Sequence, residues 1–460
     1  MSGQPKSWSE APIRALMKSL PDGKLVHQGW SPQCESGPAR TASDWGALKT
    51  TAIQDGEYLP EHNKRLPDSL EAKERLEVQP GDLLMTCAGP RVRCGVACLV
   101  RETPARRFIS GKMYRFRANE AFIEPRLLEA FLRTPETKAQ IDAMKTGISE
   151  SGMNITHERF SQLIVPVAPR PEQRRIADKL DSVLTRVEAV NSRLARVATI
   201  LKRFRQSVLA AATSGRLTED WRSQQGVQSD WPFTDVQSVA QVGTGSTPLR
   251  SNPAFFSPTG IPWITSAATG QDRVTAAVEY VTQAAITTHR LRVYPIGTLL
   301  VAMYGEGKTR GQVTELGICA TVNQACAAVV VDETKMLRSF VKLALQATYL
   351  EMRVLAEGGN QPNLNLAKVK GFPLPRPSKA EQAEIVRRVE TLFAFANRLE
   401  ARLLAAQAAT ERMTPALLAK AFRGELVPQD PNDEPATELL RRLKADRPES
   451  KSTQGRRAAA

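Results

Sequence analysis

One segment of this chain occurs twice, and that internal repeat limits the possible folds more than any other feature of the sequence. Residues 154–217 recur as residues 363–426 at a constant offset of 209, without a gap. The matched positions include Pro166 with Pro375, Glu172 with Glu381, Gln173 with Gln382, Arg203 with Arg412, and Gly215 with Gly424. Self-similarity over this length indicates one structural unit built twice in a single chain.

The repeated segment has the apolar periodicity of a coiled coil. In the first copy, apolar residues step alternately by four and three from Ile176 to Val208. The second copy repeats the pattern from Ile385 to Leu417, with one interruption at Thr410. Such a seam predicts two long helices that wind left-handedly around each other. The residues expected to pack along it are Ile176, Leu180, Leu194, Leu201, Ile385, Val389, Leu403 and Leu417.

Local signals mark the ends of both predicted helices. Pro171 suits a first helical turn, and Ser378 followed three residues later by Glu381 forms a capping-box pattern. Gly215 and Gly424 come just after the last apolar positions, where glycine commonly ends a helix. Each helix is therefore expected to contain about 42 residues and to extend roughly 60 Å.

The segments before the two helices are predicted to be globular domains of mixed secondary structure. Strands are expected at residues 82–85, 95–100, 298–303 and 325–331, and helices at residues 124–144 and 335–355. The predicted fold class is α+β, with two mixed α/β domains joined by a long antiparallel two-helix coiled coil and a pseudo-two-fold internal repeat. The expected segments are a first domain at 1–170, a first coiled-coil helix and linker at 171–228, a second domain at 229–378, a second coiled-coil helix at 379–428, and a short helix with a disordered tail at 429–460.

The charge balance indicates a polyanionic partner. The chain has a formal net charge of +15 and a sequence pI near 9.7, which favours nucleic acid. No apolar stretch approaches the roughly 20 residues that span a membrane, and residues 1–24 lack the apolar core of a signal peptide. We therefore expect a cytoplasmic protein without a membrane partner. Its six scattered cysteines are expected to be reduced.

Antiparallel pairing of the helices within one chain would place one domain at each end of the coiled coil. The chain would then acquire an approximate two-fold axis and imitate a symmetric dimer. Symmetric DNA-binding proteins place two contact surfaces in successive major grooves. Because the two domains differ in sequence, they are expected to recognise different half-sites that are separated by a fixed run of unread bases.

No catalytic motif holds up in its context. Gly307-Lys308-Thr309 fits a relaxed phosphate-binding loop, but the residues that follow turn back toward a strand where such a loop requires a helix. Pro67-Asp68 with Glu71 and Lys73 has spacing too short for a metal-dependent nuclease. The four histidines and the cysteines lack metal-ligand spacing, so no metal site is predicted.

Basic and hydroxyl residues in predicted turns are the candidates for DNA contact. Arginine can bind guanine through two hydrogen bonds, whereas lysine, serine and threonine often hold phosphates. In the first domain the candidates are Lys49, Thr50, Arg91, Arg93, Lys112 and Arg115. In the second domain they are Thr244, Ser246, Arg250, Thr265, Ser266, Lys308 and Arg310.

Several short motifs recur in the two copies of the repeat or open the two domains. The repeated motifs are Pro171-Glu172-Gln173, Ala380-Glu381-Gln382, Gly215-Arg216-Leu217 and Gly424-Glu425-Leu426. The domain motifs are Gly29-Trp30-Ser31-Pro32 and Gly243-Thr244-Gly245-Ser246-Thr247-Pro248. Together with the doubled plan, these motifs resemble the specificity subunit of type I restriction-modification enzymes, and the domain motifs look like parts of that family's target recognition domains. The resemblance covers nearly the whole chain.

The resemblance implies a non-catalytic subunit that binds double-stranded DNA and directs partner subunits. Modification subunits would carry the S-adenosylmethionine chemistry, and restriction subunits would translocate and cleave DNA with ATP and Mg²⁺, so no cofactor is expected on this chain. Docking of the partners is expected at Leu217, Leu426, Leu439 and Leu440. Two alternatives are an autonomous nuclease or NTPase, and a coiled-coil scaffold that binds DNA without sequence preference.

Overall fold

The chain forms two compact units, and each combines a globular domain with part of both long helices. The computed structural model describes residues 4–227, 230–304, 309, 311–348 and 364–445. The first unit comprises Met1–Arg193 and Ala406–Ala460, and the second comprises Leu194–Ala405. The unit boundaries thus run through the helices, whereas the segments expected from the sequence separate helices from domains. The expected disordered tail lies beyond residue 445, outside the described residues.

The first unit is built around a five-stranded antiparallel sheet. The strands of the whole unit are β1 Ser9–Pro12, β2 Met17–Lys18, β3 Val26–Gln28, β4 Gly46–Leu48, β5 Ile53–Gln54, β6 Glu57–Tyr58, β7 Asn63–Arg65, β8 Asp82–Thr86, β9 Ala88–Gly89, β10 Ala97–Leu99, β11 Arg107–Phe108, β12 Met113–Ala118, β13 Met153–Asn154 and β14 Ile164–Val167. The sheet has the order β10-β8-β12-β2, and β3 also pairs with β12. The predicted strands at 82–85 and 95–100 are confirmed as β8 and β10.

Helices cover the sheet of the first unit and lead out of it. They are α1 Pro125–Leu132, α2 Pro135–Met144, α3 His157–Ser161 and the long helix α4 Arg170–Thr213. The prediction of a single helix at 124–144 is wrong, because the helix is interrupted before Pro135. Thr134 caps α2 there, its side-chain oxygen accepting a hydrogen bond from the Thr137 amide at 3.1 Å. Proline disfavours a helical conformation of the residue before it.

The second unit contains two main sheets. Its strands are β15 Phe233–Asp235, β16 Ala240–Thr244, β17 Phe256–Ser257, β18 Ile261–Ile264, β19 Arg273–Val274, β20 Glu279–Val281, β21 Leu299–Ala302, β22 Val313–Leu316, β23 Thr321–Val322, β24 Cys326–Val331 and β25 Pro373–Pro375. The sheet orders are β16-β24-β21-β22-β19 and β17-β20-β18-β23. The predicted strands at 298–303 and 325–331 are confirmed as β21 and β24.

The remaining helices belong to the second unit, to the pair of long helices that both units share, and to the end of the chain. They are α5 Glu219–Gln225, α6 Val236–Val239, α7 Gln283–His289, α8 Arg338–Ala347, α9 Leu366–Lys370, the long helix α10 Lys379–Phe422, and α11 Ala436–Ala445. The helix predicted at 335–355 is α8, which is shorter at its start, and residues 349–355 of that prediction lie outside the described residues.

The two long helices pack against each other as predicted, and each contains 44 residues. In the first unit, Ile176 and Leu180 of α4 share a core with Leu418 of α10. In the second unit, Leu201 of α4 packs with Leu403 of α10. The start of α4 thus meets the end of α10, which makes the pairing antiparallel. Gly215 and Gly424 follow the helices with φ of +81° and +73°, a conformation in which glycine is favoured.

The apolar seam is less regular than its sequence suggests. Val190, Val197 and Met413 are exposed, although the heptad pattern assigns them to the seam. Near the end of α10, Leu418 is buried and the predicted Leu417 is only partly buried. Pro415 lies inside this last part of α10, where it has no amide hydrogen to donate. Thr410 is buried, and its hydroxyl group donates within the helix to the Gln407 carbonyl at 2.9 Å.

A buried glutamate at the start of each long helix holds the domain before it. Glu172 of α4 is 1% exposed and accepts hydrogen bonds from Trp8 Nε1 at 3.1 Å and from Gln429 Nε2 at 2.5 Å. Glu381 of α10 is also 1% exposed and accepts one from Trp231 Nε1 at 3.0 Å. In both copies of the repeat, a glutamate at the equivalent position thus binds a tryptophan at the beginning of a domain.

The neighbouring glutamines bind backbone groups only. In the first unit, Gln173 accepts a hydrogen bond from the Glu124 amide at 2.8 Å and donates one to the Phe122 carbonyl at 3.0 Å. In the second unit, Gln382 accepts one from the Leu337 amide at 2.8 Å. Because every residue except proline has a backbone N–H group, the same helix can hold domains of different sequence.

The first and last strands of each domain pair with each other beside the helix start. β1 pairs with β14, and β15 pairs with β25, both antiparallel. After α10, helix α11 packs on the first unit, where the Ala436 amide donates to the Ser7 carbonyl at 2.9 Å. Leu439 is buried in that core, which corrects its expected role as a docking point. Leu217, Leu426 and Leu440 are partly buried against the cores of their own units.

Candidate nucleic-acid interface

Five of the six DNA-contacting residues predicted in the first domain lie around one end of its central sheet. They are Lys49, Thr50, Arg91, Arg93 and Lys112. The guanidinium group of Arg93 donates hydrogen bonds to the carbonyl oxygens of Thr50 and Ile53, each at 2.6 Å. The Lys112 carbonyl accepts one from the Cys87 amide at 2.8 Å, just beyond the end of β8. Folding therefore brings together residues that are more than 60 positions apart in sequence.

Lys49 and Lys112 are the exposed cations of this group. Within the part of the chain that the structure describes, neither ammonium group has a hydrogen-bond or ion-pair partner. Arg93 is committed to the backbone of residues 50–53. Arg91 is paired with Glu150 and Asp142, both at 2.8 Å, and the hydrogen bond to Glu150 raises the pKa of Arg91. The two lysines are consequently the side chains most available to phosphates.

Arg115 does not belong to this surface, which corrects its sequence-based prediction as a DNA contact. It lies within β12, is 6% exposed, and donates hydrogen bonds to the carbonyl oxygens of Arg75, at 2.8 Å, and of Glu77. Burial lowers the pKa of Arg115. A guanidinium group held inside the domain reaches neither phosphates nor base edges.

A cluster of polar side chains that was not predicted from the sequence surrounds Arg115, and His27 and Asp82 within it are buried. The arginine donates to His27 Nδ1 at 2.9 Å, so His27 holds its proton on Nε2 and directs it to Asp22, also at 2.9 Å. This hydrogen bond lowers the pKa of Asp22. Asp82, fully buried, accepts a hydrogen bond from Arg117 at 2.6 Å. The polar residues of β12 alternate with buried aromatic residues, but nothing in the sequence pairs them with His27.

Among the described residues of the second domain, Arg250 is the basic candidate for DNA contact. Its side chain is held by one carboxylate and two aromatic rings. It forms an ion pair with Glu279, with the second contact at 3.0 Å. Its guanidinium carbon lies 5.1 Å from the ring centre of Phe256 and 5.0 Å from that of Trp263. The group is nevertheless exposed on its outer side. Arg250 thus stands at the surface in a fixed orientation.

Of the other second-domain candidates, four are described and two lie outside the described residues. The Ser246 carbonyl accepts a hydrogen bond from Trp263 Nε1 at 3.2 Å, and the hydroxyl group of Ser246 is buried. Thr244 donates to the Cys326 carbonyl at 2.8 Å. Thr265 and Ser266 follow β18 and are half-buried. Lys308 and Arg310 lie outside the described residues.

The described residues contain no group of three or more histidine, cysteine or carboxylate side chains that could hold a metal ion. The six cysteines form no disulfide bond. Burial raises the pKa of Cys87 to about 12, so this thiol is a poor metal ligand near neutral pH. Among the described helices, none is both long and apolar enough to cross a membrane.

Comparisons with known proteins agree on one family. The family model of the type I restriction modification DNA specificity domain matches residues 228–406. The specificity subunit of the type I restriction enzyme EcoDI from Escherichia coli is 30% identical over 321 residues, which cover 61% of this chain and 68% of the relative. The StySPI specificity subunit of Salmonella potsdam is 25% identical over 464 residues, covering 96% of both chains.

The fold is also known from solved structures. A structure of a type I R-M system, determined to explain complex assembly and conformational transition, contains a chain that is 18% identical to this one. The match has a TM-score of 0.71 and covers 92% of this chain and 100% of the other. At this identity the match concerns the fold, namely two mixed-sheet domains joined by paired long helices.

Proposed function

The chain belongs to the DNA specificity subunits of type I restriction-modification systems, and we propose that its two domains recognise the two halves of a bipartite, asymmetric DNA target. As the specificity subunit it is a non-catalytic part of such a complex. The coiled coil would fix the number of unread bases between the half-sites.

The observation that carries this proposal is the constant attachment of different domains to equivalent helix starts. Glu172 and Glu381 each bind a tryptophan, and the glutamines beside them bind backbone groups. A protein that must present two different recognition surfaces at a constant spacing requires this separation of a constant support from variable domains. The net charge of +15 supports DNA as the ligand.

The partners follow from membership in the complex. Modification subunits would supply the S-adenosylmethionine chemistry, and restriction subunits would use ATP and Mg²⁺ to translocate and cleave DNA. The chain itself would bind none of these cofactors. Sequencing the modified bases in cells with and without the chain tests the proposal: two short blocks with a fixed spacer should be modified only when it is present. One continuous block would contradict the bipartite model.

We expect Lys49→Ala and Lys112→Ala each to weaken DNA binding to a similar degree on all sequences. Loss of one phosphate contact should lower the slope of log affinity against log salt concentration by about one unit. The measurement is a salt titration of DNA binding by the assembled complex. Lys24→Ala is the matched control, because Lys24 is exposed near the other end of the β3–β12 pair. An unchanged slope in both variants would show that neither lysine contacts a phosphate of the DNA.

Shortening both helices tests the spacer. Deleting seven residues from α4 and the seven facing residues from α10 removes about 10 Å of helix, or roughly three base pairs of DNA. We expect the unread spacer to shorten by about that number or modification to be lost. Deleting the heptad from α4 alone is the control and should prevent assembly, since the seams no longer match. Modification at the original spacing after the double deletion would contradict the proposal that the coiled coil fixes the number of unread bases.

A further inference from the structure

Two neighbouring loops of the first unit carry aliphatic side chains that the fold does not use. Val92, in the loop between β9 and β10, is 84% exposed, and Ile148, in the loop between α2 and β13, is fully exposed. β9 pairs with β13, which brings the two loops side by side. Single exposed aliphatic residues are common on protein surfaces, but these two lie on adjoining loops, and we refer to them together as the apolar projection.

Polar contacts hold these loops together. The Arg91 amide donates to the Glu150 carbonyl at 2.8 Å, and the Arg91 side chain is paired with the Glu150 carboxylate at 2.8 Å. Lys145 Nζ donates to the Arg91 carbonyl at 2.9 Å. The backbone before Val92 is therefore fixed to the loop that carries Ile148, and the two apolar side chains are presented from a cross-linked support.

The apolar projection adjoins the basic surface described above. Arg93, the residue after Val92, bonds to the Thr50 carbonyl beside Lys49. The strand that leads into the Val92 loop continues from Cys87, whose amide donates to the Lys112 carbonyl. The exposed Lys49 and Lys112 of this surface suit a polyanionic ligand, so the surface is better matched to DNA than to an apolar protein face.

We propose that Val92 and Ile148 contact the C5 methyl groups of thymine in the major groove of one half-site. This inference rests on the proposed function. The thymine methyl is the apolar group that a base pair presents in the major groove. Two loops side by side suit a groove about 12 Å wide better than a minor groove of about 6 Å. Valine and isoleucine are branched at Cβ and have few rotamers, which suits a fixed contact.

The test replaces thymine with uracil, which removes only the methyl group. Binding by the complex of the full-length chain with its modification subunits is measured on target DNA whose first half-site contains thymine or uracil. Burial of one methyl-sized group corresponds to about a fourfold change in affinity. We expect that loss with uracil, and a similar loss for Val92→Ala or Ile148→Ala on thymine DNA. In the variant that removes the contact, uracil should cause no further loss.

Ile164→Ala is the matched control, because Ile164 is an exposed aliphatic residue on β14, outside both loops. It should retain the full uracil effect. The proposal is overturned if the loop variants bind normally, if they keep the uracil effect, or if the first half-site contains no A·T pair. Weaker assembly with the modification subunits at unchanged DNA affinity would also overturn it, in favour of a protein contact. Specific binding without a uracil effect leaves the proposed function intact, whereas absence of any sequence preference refutes both.

Discussion

Replacing residues 232–376 with the corresponding segment of another specificity subunit is expected to change one half of the modified DNA sequence and leave the other half unchanged. Specific binding exceeds nonspecific binding by about 10³-fold or more, so preference for the new half-site should change by at least that factor. The structure narrows the exchanged segment from the second domain expected from the sequence, 229–378, to residues 232–376. β15 pairs with β25, and the Arg376 amide donates to the Pro232 carbonyl at 2.8 Å, so both ends of the exchanged segment lie together.

This exchange keeps Trp231 and Glu381 in the recipient chain, so their hydrogen bond at 3.0 Å is preserved. Gln382 binds the Leu337 amide, a group that a replacement domain supplies unless it has proline at this position. Sequencing of modified bases in cells that carry the chimera is the measurement. The reciprocal exchange of residues 9–167 is the control and should change the opposite half. A chimera that alters both halves would show that recognition is shared between the domains, and one that alters neither would show that the exchanged domain does not read a half-site.

Glu381→Ala is expected to lower the free energy of unfolding of the second unit by about 3–5 kcal/mol, because it leaves a buried arginine without its counter-ion. Arg222 donates to Glu381 at 2.5 Å, and both side chains are buried. Thr218 and Trp231 lose their acceptor as well. For a unit of this size, thermal unfolding should shift by about 10 °C, which calorimetry would detect. A shift of only a few degrees would mean that water replaces the carboxylate.

Substitution of the equivalent residue Glu172 is expected to have the opposite effect, an increase in the stability of the first unit at neutral pH. Burial raises the pKa of Glu172 above its ordinary value of 4.5, so the folded chain binds this proton more tightly than the unfolded chain does. Ionisation therefore reduces stability at pH values above the raised pKa, and this cost disappears below about pH 4.5. Glu172→Gln should stabilise the first unit at pH 7 and have little effect at pH 4, since its amide oxygen can accept the hydrogen bond of Trp8 and its NH2 group can donate to Gln429 once the Gln429 amide is reversed. A destabilised variant at pH 7 would contradict this account.

Much of the architecture could be predicted because its signals are local. The heptad pattern, the capping residues and the terminal glycines each depend on neighbours within a few turns, so the long helices and their pairing followed from the sequence. The strands β8, β10, β21 and β24 were also predictable from short apolar runs. Where local rules compete, the prediction failed: Pro135 divided one expected helix in two, and Pro415 lies where the buried positions of α10 shift from Leu417 to Leu418.

The sequence by itself thus determined the doubled plan, the helices, and the family, because a repeat at constant offset and a seven-residue period are properties of the linear chain. Only the tertiary structure decided which basic residues face outward. Arg115 and Lys112 are three residues apart, yet one is enclosed by His27 and backbone carbonyls and the other is exposed. Likewise, Trp8 meets Glu172 and Val92 adjoins Ile148 only because strand pairing brings distant segments together. Burial of a polar group depends on such long-range contacts, which composition and periodicity do not encode.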